Sequence, residues 1–135
     1  MNSLEEGADL RLDFSKLAPT NNPDQQVIPV VVQHALTKDV LIVAYTNALA
    51  FEKTRQTGLA TFWSTSRNEL WVKGATSGDT LSVADIRLNC EQNALLYLVL
   101  PQGQGACHTQ TQAGKHRSTC FYRTLQNDAL ENIEP

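Results

Sequence analysis

The chain of 135 residues lacks the features typical of secreted, membrane-spanning or disulfide-stabilised proteins. No apolar run approaches the roughly 20 residues that a transmembrane helix requires. The acidic N-terminal segment MNSLEEGADLRLDF is not typical of a signal peptide. Only three cysteines are present, with no C-x-x-C pair, which argues against both a disulfide framework and a thiol-redox motif. We therefore expect one soluble domain with reduced thiols in the cytoplasm.

The chain lacks a strongly basic surface of the kind that binds nucleic acid, although its 19% of charged residues is ordinary for a soluble globular chain. The chain carries 11 basic and 14 acidic residues, for a net charge of −3, and the acids are concentrated at its two ends. Residues 27–123 consequently hold nine bases against six acids. So mild an excess is too weak for nucleic acid but suits a small anionic substrate, and ordinary solvated surface charge explains it equally well. Neither nucleic acid nor a membrane is an expected partner.

Short apolar segments rich in β-branched residues predict a strand-rich chain. Turn-forming clusters such as LTKD, SRNE and SGD separate these segments, which favours antiparallel hairpins between neighbours. We therefore predict an α+β fold, mostly antiparallel, with strands at residues 27–35, 40–47, 59–66, 70–76, 80–88, 94–100 and 118–125.

One clear helix is predicted after the second strand. Asn47 is a preferred N-cap and Gly58 a preferred C-terminal stop, and they bracket ALAFEKTRQT. Outside the domain at residues 27–125 we expect a loosely held polar arm over residues 1–26. The acidic tail over residues 126–135 is compatible with a short helix.

The three cysteines lie at strand ends and in loops, where sites are usually built. Cys90 follows a strand, Cys107 follows Gly-Gln-Gly, and Cys120 follows a basic loop. Their spacings of 17 and 13 residues are not those of a zinc finger. Three thiolates on one zinc ion would leave a position for water, as in catalytic sites. Burial as free cysteines, which are among the most buried residue types, is the alternative.

The histidines allow fewer inferences. His108, directly after Cys107, is a candidate general acid or base beside such a metal, and a surface histidine in a loop is the alternative. His116, in the loop GKHRST, is expected to be exposed, and His34 is assigned no role.

Hydroxyl, glycine and basic residues cluster in FWSTSRNELWVKGATSGD, between residues 62 and 79. A phosphate group needs hydroxyls, backbone amides and a cation, although an ordinary hairpin turn uses many of the same residues. The Trp63 and Trp71 rings fit a hydrophobic core, and Trp63 also fits stacking on a base. The candidate substrate-binding residues are Trp63, Ser64, Ser66, Arg67, Lys73, Ser77 and Gly78.

Several segments together resemble the phosphoribosyl-AMP cyclohydrolase family of histidine biosynthesis. They occur in the family's order between residues 12 and 123, and the combination W-S-x-S-R-x-x-L-W-x-K-G-x-x-S-G, A-C-H-T and S-x-C-F-Y-R is highly specific. The segments are LDFSKL (12–17), VVVQHALTKDVLIVAYTN (30–47), TFWSTSRNELWVKGATSGD (61–79), VADIRLNCEQNALL (83–96), ACHT (106–109) and STCFYR (118–123).

The resemblance implies an intertwined homodimer with active sites at the subunit interface. It implies one zinc ion held by Cys90, Cys107 and Cys120, with Cys90 donated by the partner chain. The implied reaction is hydrolysis of the N1–C6 bond of the adenine ring in 1-(5-phosphoribosyl)-AMP, with His108 transferring the proton.

The sequence departs from the family pattern at four places. The usual D-C-D-x-D, whose carboxylates hold magnesium, is Asn89-Cys90-Glu91-Gln92-Asn93, and such a degenerate site should bind magnesium much more weakly. The usual K-G-E-x-S-G-H has Ala75 and Asp79 in place of its glutamate and histidine. The usual Q-D is Gln33-His34, and the loop between Cys107 and Cys120 contains the insertion QTQAGKH at residues 110–116.

Three hypotheses follow from these departures. The first is a working phosphoribosyl-AMP cyclohydrolase with altered dependence on magnesium. The second is a diverged zinc hydrolase of the same fold that acts on another phosphorylated purine-like or cyclic amidine substrate. The third is a catalytically silent, zinc-stabilised dimer. A free position on a three-thiolate zinc ion beside His108 disfavours the third, because a structural metal would need a fourth protein ligand.

Overall fold

The computed structural model describes residues 2–15 and 22–135 as two short helical segments, one longer helix and eight strands. Met1 and residues 16–21, which include the end of the LDFSKL segment, lie outside the described residues. The helices are α1 (Ser3–Glu6) and α2 (Ala48–Thr57), with a 3-10 turn at Pro23–Gln25. The strands are β1 (Ile28–His34), β2 (Val40–Thr46), β3 (Thr61–Ser64), β4 (Glu69–Val72), β5 (Leu81–Leu88), β6 (Leu95–Pro101), β7 (Arg123–Gln126) and β8 (Ala129–Asn132).

The main sheet has four strands in the order β2-β1-β6-β5. The predicted hairpin of β1 and β2 is confirmed, and β5 pairs antiparallel with β6. The central pair, β1 with β6, is parallel, and β3 and β4 form a separate hairpin. The predicted α+β class and mostly antiparallel pairing are therefore confirmed, but the parallel pairing of β1 with β6 was not predicted. Turn residues indicate hairpins between neighbouring strands, but they give no information on the pairing of β1 with β6, which are far apart in the chain.

Helix α2 forms where its capping residues predicted it. The Asn47 side chain accepts a hydrogen bond from the backbone nitrogen of Ala50 at 2.9 Å, and Gly58 ends the helix with a φ of 74° in the left-handed region. Its buried residues Ala50, Phe51 and Thr54 face the inner side of the sheet. The core there combines residues of the sheet with Phe51 of α2 and Phe62 of β3.

The N-terminal arm is held more firmly than predicted. The Gln92 side chain donates to the carbonyl of Asp9 at 2.9 Å and accepts from the backbone nitrogen of Arg11, while Leu12 and Phe14 pack against the core. The polar composition predicted a loosely held arm, but the buried Gln92 amide and the packing of Leu12 and Phe14 attach this part of it to the domain.

The acidic tail is also different from the prediction. Residues 129–132 form β8, which pairs with β7 around Asn127, whose φ is 55°. The predicted strand at 118–125 is shorter, because Ser118 to Tyr122 follow an irregular path beside the cysteines. The tail is thus a hairpin and not a helix. None of the helices within residues 2–15 and 22–135 is long and apolar enough to cross a membrane.

Replacing Asn47 by alanine tests the role of the helix cap. The side chain is 1% exposed and also donates to the carbonyl of Asp24 at 3.0 Å. We expect Asn47→Ala to reduce the free energy of unfolding by about 1–2 kcal/mol in chemical denaturation. Gln56→Ala, on the exposed face of the same helix, should change it by less than about 0.5 kcal/mol. Equal effects of the two substitutions would contradict the capping role.

Candidate active site

A cavity of about 610 Å³ opens between β4, the turn after it and the loop that carries two of the cysteines. Residues 73–77 of the turn form one wall, and Ala106, Cys120 and Phe121 contribute to another. Five of the residues singled out from the sequence line this cavity together: Arg67, Lys73, Ser77, His108 and Cys120.

The turn that follows β4 folds back tightly on itself. Gly74 has a φ of 79°, and a Cβ atom there would lie 2.1 Å from the carbonyl carbon of Asp79, so a side chain is sterically excluded. The backbone nitrogen of Gly78 donates to the carbonyl of Gly74 at 2.9 Å, and Gly78 itself has a φ of 83°. The glycines therefore set the path of the turn. Gly78 does not line the cavity.

Lys73 is a buried cation at the cavity wall. It is 8% exposed, and its Nζ atom lies 6.0 Å from the centroid of the Trp71 ring. Among the described residues no carboxylate forms an ion pair with it. Burying an ammonium group is unfavourable unless an anion accompanies it, so the position suits an anionic ligand.

Two of the three thiols are neighbours. The loop between them is closed by a hydrogen bond from the Cys107 backbone nitrogen to the carbonyl of Arg117 at 3.0 Å. The Cys120 backbone nitrogen donates to the carbonyl of Leu41 on β2 at 2.8 Å. The two thiols are close enough to shift each other's pKa, and the Cys107 sulfur lies 2.9 Å from the hydroxyl of Thr109.

The surroundings shift the pKa values of the two thiols in opposite directions. Burial raises the pKa of Cys107, but hydrogen bonds with Thr109 and Cys120 and the charge of Lys73 outweigh it, so the pKa lies below its ordinary value. Desolvation and the adjacent Cys107 raise the pKa of Cys120 to about 11. The first thiolate therefore forms most readily on Cys107, the more buried residue.

Cys90 lies apart from this pair within the chain. It is exposed in the turn that follows β5, directly beyond the pairing of Leu88 with Leu95. Strands β2 and β5 are opposite edges of the sheet, and three interstrand spacings of about 4.8 Å place these edges about 14 Å apart. Among residues 2–15 and 22–135, no three His, Cys, Asp or Glu side chains are grouped to hold a metal ion.

The turn around Cys90 is closed by amide hydrogen bonds. The Asn89 Oδ1 atom accepts from the backbone nitrogens of Asn93 and Ala94, both at 2.9 Å. Since a backbone nitrogen can only donate, these bonds define the orientation of the Asn89 amide. Its Nδ2 atom donates to Asn93 Oδ1 at 2.6 Å, and Asn93 Nδ2 in turn donates to Glu91 Oε2 at 3.3 Å. The side-chain N–H groups of Asn89 and Asn93 therefore point at the oxygens of Asn93 and Glu91, in the turn predicted as a degenerate magnesium site.

The two histidines of the loop differ in their surroundings. His108 is exposed and lines the cavity. His116, which was predicted to be exposed, is half-buried, with 22% of its side chain accessible and its Nδ1 atom in contact with Asp79 Oδ2. The prediction failed because the partner lies 37 residues away in the chain.

The remaining predicted substrate residues lie outside the main cavity. Ser64 and Ser66 line an adjoining cavity of about 290 Å³ that shares Arg67 with the first. Their hydroxyls lie 3.3 Å apart, and Ser64 Oγ accepts from the backbone nitrogen of Arg67 at 3.3 Å. Trp63 is buried and lines neither cavity.

The sequence analysis missed two aromatic residues of the site. Trp71, interpreted as core, is 41% exposed and lines both cavities, and Phe121 is 54% exposed at the main one. The alternation along β4 could have identified Trp71, because it places that ring on the face opposite to Leu70 and Val72.

Comparison with known proteins relates the chain to one family. The family model described as phosphoribosyl-AMP cyclohydrolase matches residues 42–122, more than half of the chain. A relative of that name from Erythrobacter litoralis is 43% identical over 129 residues, covering 96% of this chain and 97% of the relative. Another from Halobacterium salinarum is 47% identical over 122 residues, covering 90% and 88%. A third, from Archaeoglobus fulgidus, is 46% identical over 107 residues, covering 79% and 93%. The chain therefore belongs to the phosphoribosyl-AMP cyclohydrolase family and is a hydrolase that acts on a cyclic C–N bond of a purine ring.

Proposed function

We propose that this protein hydrolyses the N1–C6 bond of the adenine ring in 1-(5-phosphoribosyl)-AMP, as a zinc-dependent homodimer of histidine biosynthesis in the cytoplasm. The observation that carries the proposal is the shared cavity of Arg67, Lys73, Ser77, His108 and Cys120. It combines cations for a phosphorylated substrate with a histidine and with Cys120, which lies close to Cys107.

The thiol pair suits zinc, provided that the partner chain completes the site. Thiolates are preferred zinc ligands, and Cys107, whose pKa is lowered by its hydrogen bonds and by the charge of Lys73, lies close to Cys120. Cys90 is exposed on the far edge of the sheet, so the third thiolate would come from a second copy of the chain. When bound by three thiolates, zinc supplies Lewis acidity and a water of lowered pKa.

The outer face of the sheet supports the proposed dimer. Val43, Val31 and Leu96 lie in one row across three strands, on the face opposite to the core. Val43 and the nearby Tyr45 are each close to half exposed. An apolar face of this kind is typical of a surface that is covered in an assembly.

The protein's own residues would bind the substrate and transfer its protons. Lys73 and Arg67 would pair with phosphate oxygens, with hydroxyl groups from Ser64, Ser66 and Ser77 as further donors. The exposed Trp71 ring is placed for contact with the purine. His108, in the same cavity, would accept a proton from the attacking water and return it to the ring nitrogen as the bond breaks.

Magnesium does not fit the turn around Cys90. The ion requires hard oxygen ligands in near-octahedral geometry, whereas the amide nitrogens of Asn89 and Asn93 donate into the space between the oxygens. The turn is held by hydrogen bonds, and we propose that activity requires no magnesium at this position.

Subunit complementation tests the shared zinc site. Cys90→Ser and Cys107→Ser should each lose zinc and the ring-opening activity, which is followed by ultraviolet absorbance. Co-refolding equal amounts of the two variants should restore about a quarter of wild-type activity, because half of the dimers would then contain one intact site of two. Elemental analysis should show a matching recovery of zinc.

Co-refolding Cys107→Ser with Cys120→Ser is the matched control for complementation. These two thiols belong to one chain in every proposed site, so no combination of the variants yields an intact site. Recovery in the control, or no recovery with Cys90→Ser, would refute the shared site. Zinc-loaded wild-type protein that fails to open the ring would instead favour a diverged hydrolase with another cyclic amidine substrate.

Replacing His108 tests the proton-transfer role. We expect His108→Gln to lower kcat by about 10²–10⁴-fold while zinc content stays unchanged. His34→Gln is the control, because His34 Nδ1 accepts only from backbone nitrogens of the turn between β1 and β2, Leu36 and Thr37. A His108→Gln enzyme as active as the control would exclude His108 from the chemistry.

Asparagine-to-aspartate substitutions test the magnesium argument. Adding magnesium should change neither the activity nor the melting temperature of the wild type. Asn89→Asp with Asn93→Asp replaces the intervening N–H groups by anionic oxygens, and we expect this double variant to melt at a higher temperature when magnesium is added. A magnesium-dependent rise of the same size in the wild type would contradict the proposal.

A further inference from the structure

A buried carboxylate joins the inserted loop to the turn that forms one wall of the cavity. Asp79, which is 5% exposed, ends the turn that begins at Lys73. Its Oδ2 atom contacts Nδ1 of His116, and its Oδ1 atom accepts from the backbone nitrogen of Gln104 at 2.7 Å. The Gln104 side chain accepts in turn from the backbone nitrogen of His116 at 3.2 Å. Three segments that are distant in the chain thus close one ring of hydrogen bonds.

His116 belongs to the same small hairpin as Cys107 and His108. The backbone nitrogen of Arg117 donates to the carbonyl of Thr109 at 3.0 Å, and Cys107 donates back to Arg117 at 3.0 Å. A β-bridge pairs His116 with Gln110. A contact that holds His116 in place therefore also holds the opposite strand of this hairpin, which carries Cys107 and the cavity residue His108.

Glycines pack so closely around the pair that Asp79 has little freedom to move. A Cβ atom at Gly103 would lie 2.0 Å from Asp79 Oδ1, and one at Gly105 would lie 2.3 Å from the carbonyl oxygen of Arg117. Burial raises the pKa of Asp79, but the hydrogen bonds from His116 and Gln104 outweigh it and lower the pKa below its ordinary value. Asp79 is therefore an ionised carboxylate in a rigid, buried position.

The pair itself does not reach the substrate cavity. Neither Asp79 nor His116 lines the space bounded by Lys73, Ser77 and His108. A role in contacting substrate is therefore not supported by the geometry. The pair instead connects the turn of Lys73 and Ser77 with the hairpin of His108, and both of these segments line the cavity.

We propose that Asp79 and His116 form a positioning pair that holds the hairpin of Cys107 and His108 at a set distance from the turn of Lys73 and Ser77. This inference rests on the proposed function, because it is the proton-transfer group and the phosphate-binding cation whose separation the pair controls. The hairpin contains the inserted residues 110–116, and its other attachments are its own short ladder and two hydrogen bonds to the C-terminal tail, from the Gln112 backbone nitrogen to the carbonyl of Pro135 at 3.3 Å and from Arg117 Nε to the carbonyl of Glu134 at 2.7 Å. Neither the ladder nor the tail connects the hairpin to the turn of Lys73, so the contact with Asp79 is the one that sets the distance between them. Displacement of a catalytic group by about 1 Å can lower a rate by about 100-fold.

Asp79→Asn, His116→Asn and the double variant test the pair, with Gln112→Ala as the control in the same loop. We expect each single variant to lower kcat by about 10–100-fold with a smaller change in KM, while zinc content stays unchanged. The double variant should be no slower than the slower single variant, because both substitutions remove one interaction. Gln112→Ala, an exposed side chain, should retain wild-type kcat.

Hydrogen exchange supplies a readout that does not depend on activity. In His116→Asn, the amides of Cys107, Thr111 and Arg117 should exchange faster, while those of the β1–β6 pairing stay protected. Unchanged kcat together with a lowered melting temperature would reduce the pair to a structural contact and overturn the proposal. Strictly additive losses in kcat would overturn it as well.

The positioning role of Asp79 and His116 and the ring-opening activity can be refuted separately. A wild-type protein without ring-opening activity would refute the function, yet the exchange measurement would still report whether the pair holds the hairpin. An active wild type whose variants match Gln112→Ala in both kcat and exchange would refute the pair alone.

Discussion

The parallel pairing of β1 with β6 is the constraint on which the rest of the molecule depends. It aligns Val30 with Leu95 and His34 with Val99, so the end of β6 emerges beside the turn between β1 and β2. The chain that follows β6 can then return to the edge strand, where Thr119 and Cys120 donate to the carbonyls of Val40 and Leu41. An antiparallel pairing would reverse β6 and place the thiol loop at the opposite end of the sheet. The position of the cavity is therefore a consequence of one long-range backbone pairing.

Two buried charged residues, Lys73 and Asp79, lie on the turn beside the cavity. Lys73 lies at the cavity wall, and its charge contributes to the lowered pKa of Cys107, whereas burial and the adjacent Cys107 raise the pKa of Cys120 to about 11. A lowered thiol pKa favours the thiolate form that binds a metal. Asp79 is the opposite case, since its charge is compensated within the protein by hydrogen bonds from His116 and Gln104. An uncompensated buried charge is costly, whereas a compensated one holds its partners in place. The two residues lie on one turn and serve different purposes.

The turn around Cys90 shows how amide side chains can hold a loop by hydrogen bonds among themselves and to the backbone. In this chain Asn89 accepts from two backbone nitrogens and donates to Asn93, which donates to Glu91. Each amide provides a donor as well as an acceptor, so the side chains satisfy each other without a cation. Carboxylates at the same positions would only accept, and their mutual repulsion would favour binding of a cation. The type of side chain at these positions therefore determines whether hydrogen bonds or a cation would hold the turn.

The sequence by itself determined those features whose causes are local. Asn47 and Gly58 bracketed helix α2 because capping depends on residues within one turn, and the hairpins of β1 with β2 and β3 with β4 followed from nearby turn residues. Motif order likewise identified the family and the residues Arg67, Lys73, Ser77 and His108 that share the cavity. Tertiary structure alone decided the parallel β1–β6 pairing, the separation of Cys90 from the other thiols, and the contact of Asp79 with His116. Each of these joins residues that are far apart in the chain, and such contacts form because backbone hydrogen bonds and burial of the whole sheet offset the entropy of closing long loops.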